Sequence, residues 1–126
     1  MNKQNKIIIG LAVIIVVIVI FLAAYNVSGK NKVSVSYDKF AQCLAEKGAV
    51  MYGAEWCSHC KAQKAVFGNS FKYVNYVECP DNTQLCIDKG VQGFPTWLVG
   101  TSTKIEGFDE NKTMKALSDA TGCPLP

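Results

Sequence analysis

The stretch Cys57-Ser58-His59-Cys60 constrains this chain more than any other, because it follows an apolar run ending in Trp56 and opens a segment, Lys61 to Phe67, that reads as a helix. Two thiols three positions apart at a helix start can close a small disulfide ring. The first sulfur is expected to be exposed, where backbone N–H groups and the helix dipole stabilise a thiolate. The pattern reads as a redox site. Half of a zinc site, or a purely structural bridge, would use the same spacing.

A second feature sets the organisation of the chain. Ile7 to Tyr25 is an uncharged apolar run, with Lys3 and Lys6 before it and Lys30 and Lys32 after it. About 20 such residues, at a rise of about 1.5 Å each, cross a hydrocarbon core of about 30 Å. The run is longer than the apolar stretch of a typical cleaved signal peptide, about 7 to 15 residues. Leu22-Ala23-Ala24 would pass only as a weak cleavage site, and no cysteine stands there to accept a lipid. The expected organisation is a short cytoplasmic N-terminus over residues 1–6, a retained transmembrane anchor over 7–25, a polar linker over 26–32 and one folded domain over 33–126.

Similar positive charge on the two flanks gives little orientation by itself. The cysteines supply it. All six lie beyond the apolar run, and an even, dense set of thiols fits an oxidising compartment. The domain is therefore expected on the extracytoplasmic side of the cell membrane. The formal net charge of +3 owes much to the lysines beside the apolar run. Beyond that run no basic stripe with interleaved aromatics appears, so nucleic acid is not an expected partner.

Along the domain, Val33 to Ser36 alternates and reads as a first strand or as the end of the linker. From Tyr37 to Lys47, Phe40, Cys43 and Leu44 share a helical face, Ser36 or Asp38 can cap the start, and Gly48 suits the stop. Ala49 to Gly53 is a short buried strand leading into the cysteine turn. Cys57 to Phe67 forms the next helix, closed by Gly68. Phe71 to Glu78, aromatic and β-branched, has the alternation of a strand. Asp81 or Asn82 caps a short helix ending near Lys89, with Gly90 after it. Thr96 to Val99 and Lys104 to Gly107 flank Gly100-Thr101-Ser102-Thr103 as a hairpin. A last helix runs from Asp109, its N-cap, through Met114, Ala116 and Leu117 to Gly122. Strands alternating with helices, then a hairpin and a helix, imply an α/β domain whose mixed sheet is covered on both faces.

These elements, with WCSHC after the strand VMYGA and GFPTW before the hairpin, resemble the thioredoxin-like fold from about Val33 to Gly122. The stretches YGAEWCSHCKAQKAVFG, YVNYVEC and GFPTW most resemble thioredoxin-like domains that accompany, or are fused to, bacterial and archaeal homologues of vitamin K epoxide reductase. That resemblance implies a membrane-anchored thiol-disulfide oxidoreductase that makes disulfides in exported, cysteine-containing proteins. It also implies reoxidation by a quinone-linked membrane partner of the vitamin K epoxide reductase type. Cys57 would be the nucleophile and Cys60 the resolving thiol, less exposed and one turn further in. His59 would favour the thiolate and Ser58 would modulate it, although the family's strong oxidants carry Pro-His between their cysteines. Pro95 matches the family's cis-proline. Phe94 would then offer its backbone N–H and C=O to an extended substrate, and Trp56 an apolar platform. Family members that act as reductases carry a buried acid where this chain has Met51, which counts against an efficient reductase. Glu55 is expected to face solvent, and Lys61 and Lys64 to form a wetted helix face. The domain itself needs no cofactor or metal.

The other four cysteines leave alternatives open. Cys79 and Cys86 bracket a loop and a short helix; a bridge between them would be structural or a second redox pair. Cys57, Cys60, Cys79 and Cys86 also have the spacing of a four-thiolate zinc site, the main non-enzymatic reading. Cys43 and Cys123 would tie the two ends of the domain if bonded. Otherwise Cys43 is a small buried hydrophobe and Cys123 a free or intermolecular thiol. A reductase or an isomerase, for instance one serving cytochrome maturation, is the competing enzyme reading.

Overall fold

A computed structural model describes residues 2–27 and 35–126 of the chain. They fall into two units, an N-terminal helix and a domain that begins near Val35. The helix, α1 (Lys3–Val27), carries isoleucine, valine and leucine around its whole circumference, and those from Ile7 to Leu22 are each half or more exposed. Within Lys3–Tyr25 an 18-residue stretch has a mean hydropathy of 3.5, and none of that stretch is buried. Such a helix has no polar face to turn toward water, and its length and composition make it a candidate membrane span or signal. Most of the linker, and Val33 and Ser34 of the alternating segment, lie outside the described residues. Val35 and Ser36 belong to no strand.

The domain opens with α2 (Asp38–Glu46), which buries Phe40, Ala41 and Leu44. Its start differs from expectation. Tyr37 holds the N-cap position, Ser36 Oγ just before it accepts the Asp38 N–H at 3.4 Å, and Asp38 Oδ1 accepts a 2.6 Å hydrogen bond from the Ser70 hydroxyl. Gly48, at φ +72°, turns the chain from this helix into β1 (Ala49–Gly53), a reversal that only glycine makes without strain. Next come α3 (Ser58–Phe67), a 3-10 segment over Gly68–Tyr73, and β2 (Asn75–Glu78). The chain is completed by α4 (Thr83–Asp88), β3 (Thr96–Val99), β4 (Thr103–Glu106) and α5 (Glu110–Thr121). Asp109 caps α5 by accepting the Lys112 N–H at 2.9 Å.

Phe71 to Glu78 is only half a strand. Phe71 and Tyr73 sit in the 3-10 turn, which the Val74 N–H closes onto the Phe71 carbonyl at 2.9 Å. The rings are used as packing anchors rather than as strand positions: Phe71 meets Phe67 edge-on at 6.2 Å and Tyr76 at 5.7 Å. Alternating bulky residues satisfy a short 3-10 turn as well as a strand when each ring finds a neighbour.

The sheet order is β2-β1-β3-β4. β1 runs parallel to β2 and antiparallel to β3, which pairs with β4 in a hairpin. Period-two alternation divides the side chains of β1 and β3 between the faces. Met51 and Trp97, partners in register, enter the main core with Phe40, Leu44, Phe67, Met114 and Leu117. Tyr52, with the partly buried Val50 and Leu98, packs instead against Cys79 and Cys86. The sheet is thus mixed and packed on both sides, the architecture expected from the element order.

Cys43 is bonded to Cys123, 80 positions away. The link joins α2 to the segment that follows α5 and closes the domain end to end. Cys79 is bonded to Cys86 across a separation of 7.

Candidate active site

Cys57 is the N-cap of α3. Its extended backbone (φ −74°, ψ 118°) turns the chain into the helix, and its Sγ accepts the backbone N–H of Cys60 at 3.2 Å. A sulfur in that position meets an otherwise unpaired helix N–H and the positive end of the helix dipole, both of which favour negative charge. The expected exposure is not what is found: Cys57 is only 7% exposed, and Cys60 is fully buried. Cys57 belongs to the main core, against which Phe94 also packs. Trp56 and Phe94 meet edge-on at 6.0 Å, and Trp56 is left 71% exposed.

Cys57 opens into a groove of about 580 Å³ that it shares with Trp56, Ser58, His59, Gln92 and Phe94. The structure thereby brings most of the expected site residues together. His59 and Ser58 line the groove, and His59 makes no hydrogen bond or ion pair among the described residues. The Phe94–Pro95 peptide is cis, with Pro95 buried. Phe94 also lines a second, smaller cavity with Cys79, Pro80, Thr83 and Cys86. Because Cys79 and Cys86 are bonded to each other, the four-thiolate set does not assemble.

Behind Cys57 the surroundings change. Burial pushes the Cys60 thiol up to about 12, reinforced by its hydrogen bond with Cys57, while the Ala54 backbone and Lys64 pull the other way. Met51, at the position where reductases of the resembled family hold an acid, is fully buried in the core and has nothing to exchange.

Three residues near Cys60 were not expected. Tyr76 donates its hydroxyl hydrogen to Glu78 Oε2, and Glu78 Oε1 accepts the Glu55 N–H at 2.8 Å. The carboxylate therefore clamps β2 to the turn before Cys57. Lys64 lies 3.9 Å over the Tyr76 ring, with its side chain 25% exposed, so it is not part of a wetted face. Its stem covers aromatic surface while its ammonium reaches toward Glu55 at 3.9 Å. Glu55 does face solvent. Burial, then the bond to Glu78, holds the Tyr76 phenol above its usual range, and that same bond holds Glu78 below its own. The signal was available in part, since period-two alternation in Asn75–Glu78 places Tyr76 and Glu78 on one face.

The sequence model of the thioredoxin family matches residues 31–121. The thiol-disulfide oxidoreductase LTO1 of Arabidopsis thaliana is 42% identical over 83 residues, 56% of this chain and 22% of that protein. A probable protein disulfide-isomerase A6 of Medicago sativa is 28% identical over 106 residues, 75% of this chain and 29% of that protein. Protein disulfide isomerase-like 2-2 of Oryza sativa subsp. japonica is 26% identical over 111 residues, covering 79% and 30% respectively. The chain spans less than a third of the length of each of these relatives.

Proposed function

The chain belongs to the thioredoxin family, and from that premise we propose that it is a membrane-anchored thiol-disulfide oxidoreductase that introduces disulfides into exported proteins. The observation that carries the reading is the placement of Cys57 Sγ, which accepts the Cys60 N–H in the first turn of a helix and lies beside an open groove. In the oxidised protein, a substrate thiolate attacks Cys57 Sγ, the Cys57–Cys60 bond breaks, and Cys60 leaves as a thiolate that takes up a proton. A second substrate thiol then attacks the substrate sulfur of the mixed disulfide. The substrate leaves oxidised, and two electrons and two protons remain on Cys57 and Cys60. Trp56 and Phe94 provide the apolar contact for the visiting chain, and the backbone of Phe94 its hydrogen bonds.

Two further disulfides in so short a domain support an oxidising, extracytoplasmic setting. α1 would hold the domain at the bilayer, where tethering raises the effective concentration of a membrane partner. That partner, in this reading, is a quinone-linked protein of the vitamin K epoxide reductase type, which takes the two electrons and restores the bond. The thiol-disulfide oxidoreductase named among the relatives supports the chemistry. The isomerases among them favour a second reading, repair of wrong bridges. Redox potential separates the cases: near about −120 mV for an oxidant, about −180 mV for an isomerase and about −270 mV for a reductant.

The direct test is Cys60→Ala in the full chain, expressed in cells. Mixed disulfides through Cys57 accumulate if the reading holds, and they identify substrate and recycling partner together. If no adduct forms, and Cys57→Ala behaves identically, the reading fails.

A further inference from the structure

Packing does little to fix Trp56. Its ring is 71% exposed and meets Phe94 edge-on at 6.0 Å, so the direction in which it stands from the Cys57 sulfur is set mainly by its backbone. That backbone is a four-residue turn. The Cys57 N–H closes onto the Ala54 carbonyl at 3.1 Å, which puts Glu55 and Trp56 at the two central positions.

Such a turn does not use the N–H of its second residue, here Glu55, which is left to be held from outside. Glu78 Oε1 accepts it at 2.8 Å from the end of β2, 23 positions along the chain. Glu78 is itself well anchored. Its Oε2 accepts the Tyr76 hydroxyl, and its carbonyl accepts the Asn82 side-chain amide at 2.9 Å. The next residue, Cys79, is bonded to Cys86 and donates its N–H to the Gly53 carbonyl at 2.8 Å, just before the turn. Two consecutive residues thus hold the segment that leads into α3. The backbone contact at position 79 could be made by nearly any residue, whereas the contact at position 78 needs a side-chain acceptor of this length. Lys64 brings α3 to the same place, 3.9 Å over the Tyr76 ring and 3.9 Å from the Glu55 carboxylate.

We propose that Glu78 is a positioning residue for substrate recognition: by holding the Glu55 N–H it fixes Trp56 beside Cys57, and so favours an extended peptide with an apolar residue next to its cysteine over a small thiol. Glu78 touches no reacting atom and acts through the turn. Glutathione carries no apolar side chain for the platform and is indifferent to where Trp56 stands. This inference rests on the proposed oxidation of substrate thiols and names the class of substrate.

The test mixes the oxidised full chain, in detergent, with a peptide bearing two cysteines and a phenylalanine beside the first, or with glutathione. In either case two thiols lose two electrons and two protons to Cys57 and Cys60, and acid-quenched samples are resolved by mass. Glu78→Leu is expected to raise the half-saturating peptide concentration roughly tenfold, the scale of one lost hydrogen bond to a charged group. The limiting rate and the glutathione rate should stay within about twofold of the unaltered chain. Glu78→Gln, which keeps an acceptor for the Glu55 N–H and a donor for the Tyr76 oxygen, should restore peptide binding. Tyr76→Phe, which keeps the ring and removes one anchor of the carboxylate, should show a smaller loss in the same direction. In a Trp56→Ala background, Glu78→Leu should add less than about twofold, because both changes act on one platform. Unaltered peptide saturation in both Glu78→Leu and Tyr76→Phe overturns the inference. So does equal slowing with peptide and glutathione, or full multiplication of the two effects in the double variant, since either would mark a general structural role. Failure of the unaltered oxidised chain to oxidise peptide and glutathione alike would instead overturn the proposed function.

Discussion

Two cysteine pairs of short spacing border cavities lined by the same phenylalanine, and they have opposite fates. Cys57 and Cys60 are thiols, while Cys79 and Cys86 are bonded. Phe94 borders the cavities beside both. What separates them is the backbone around the sulfurs. Cys57 caps a ten-residue helix, and its Sγ receives the Cys60 N–H. The corresponding amides of the other pair are spent elsewhere, Cys79 N–H on the Gly53 carbonyl and Cys86 N–H on that of Asn82. A thiolate at Cys57 is therefore compensated by the helix, and nothing comparable meets Cys79 or Cys86. Spacing alone does not distinguish a reactive pair from a structural one. The hydrogen-bond accounting of the neighbouring N–H groups does.

The contrast is broken most severely by exchanging the fates of the pairs. Cys57→Ser is expected to abolish thiol-disulfide exchange altogether, whereas Cys79→Ala with Cys86→Ala leaves it within about twofold, measured by reduction of the chain with dithiothreitol. Substantial activity lost with the second pair would mean that it carries electrons.

Stability should order the other way. In the chain-entropy account, the Cys43–Cys123 bond, with its separation of 80, contributes about 4.5 kcal/mol, and Cys79–Cys86, with a separation of 7, about 2.4 kcal/mol. Denaturant unfolding of the two double-alanine variants, with exchange activity measured in parallel, checks the order. Equal losses would show that local packing, not chain entropy, dominates.

The expected helix with Phe40 and Leu44 on one face, the strand Ala49–Gly53, and the Asp109-capped final helix were all legible. Each combines an apolar period with a stop or cap whose chemistry is local. The misreadings share a cause. Phe71 and Tyr73 alternate like a strand but anchor a 3-10 turn through rings brought by α3 and β2. Lys64 has the composition of a solvated helix face, yet it lies on Tyr76, a residue from another element. Cys57 occupies the predicted helix start, but it is buried in the main core, against which Phe94 packs. In every case tertiary packing supplied what local pattern could not. The missed Tyr76–Glu78 bond is a further example, because Glu78 joins β2 to the turn before Cys57 through the Glu55 N–H.

A third distinction concerns pH. Burial raises Cys60 from its ordinary value of 9.0 to about 12, so the reduced fold favours the protonated thiol. Its contribution to stability is fully present below about pH 9 and is lost as pH climbs through about 12. Tyr76, also raised, acts in the same direction. Alkaline unfolding of the reduced chain is expected to begin earlier than for Cys60→Ala, relative to each protein's own stability at neutral pH. Cys79 and Cys86, being bonded, contribute nothing to this dependence. Coincident pH profiles for the two proteins would contradict it.

The smallest effect on stability belongs to Trp56. Its exposure leaves mainly the edge contact with Phe94 to lose, so Trp56→Ala should cost about 1 kcal/mol or less. The same change should raise the KM for a cysteine-containing peptide several-fold with kcat little altered. An unchanged KM would remove Trp56 from the substrate platform.

The most direct measurement of the central claim is brief alkylation of the reduced chain with iodoacetamide at pH 7, followed by peptide mass analysis. The account predicts that Cys57 is modified first and almost alone, with Cys60 protected by its burial and protonation. Modification of Cys60 at an equal or greater rate would contradict it, because the attacking sulfur would then not be the one that caps the helix.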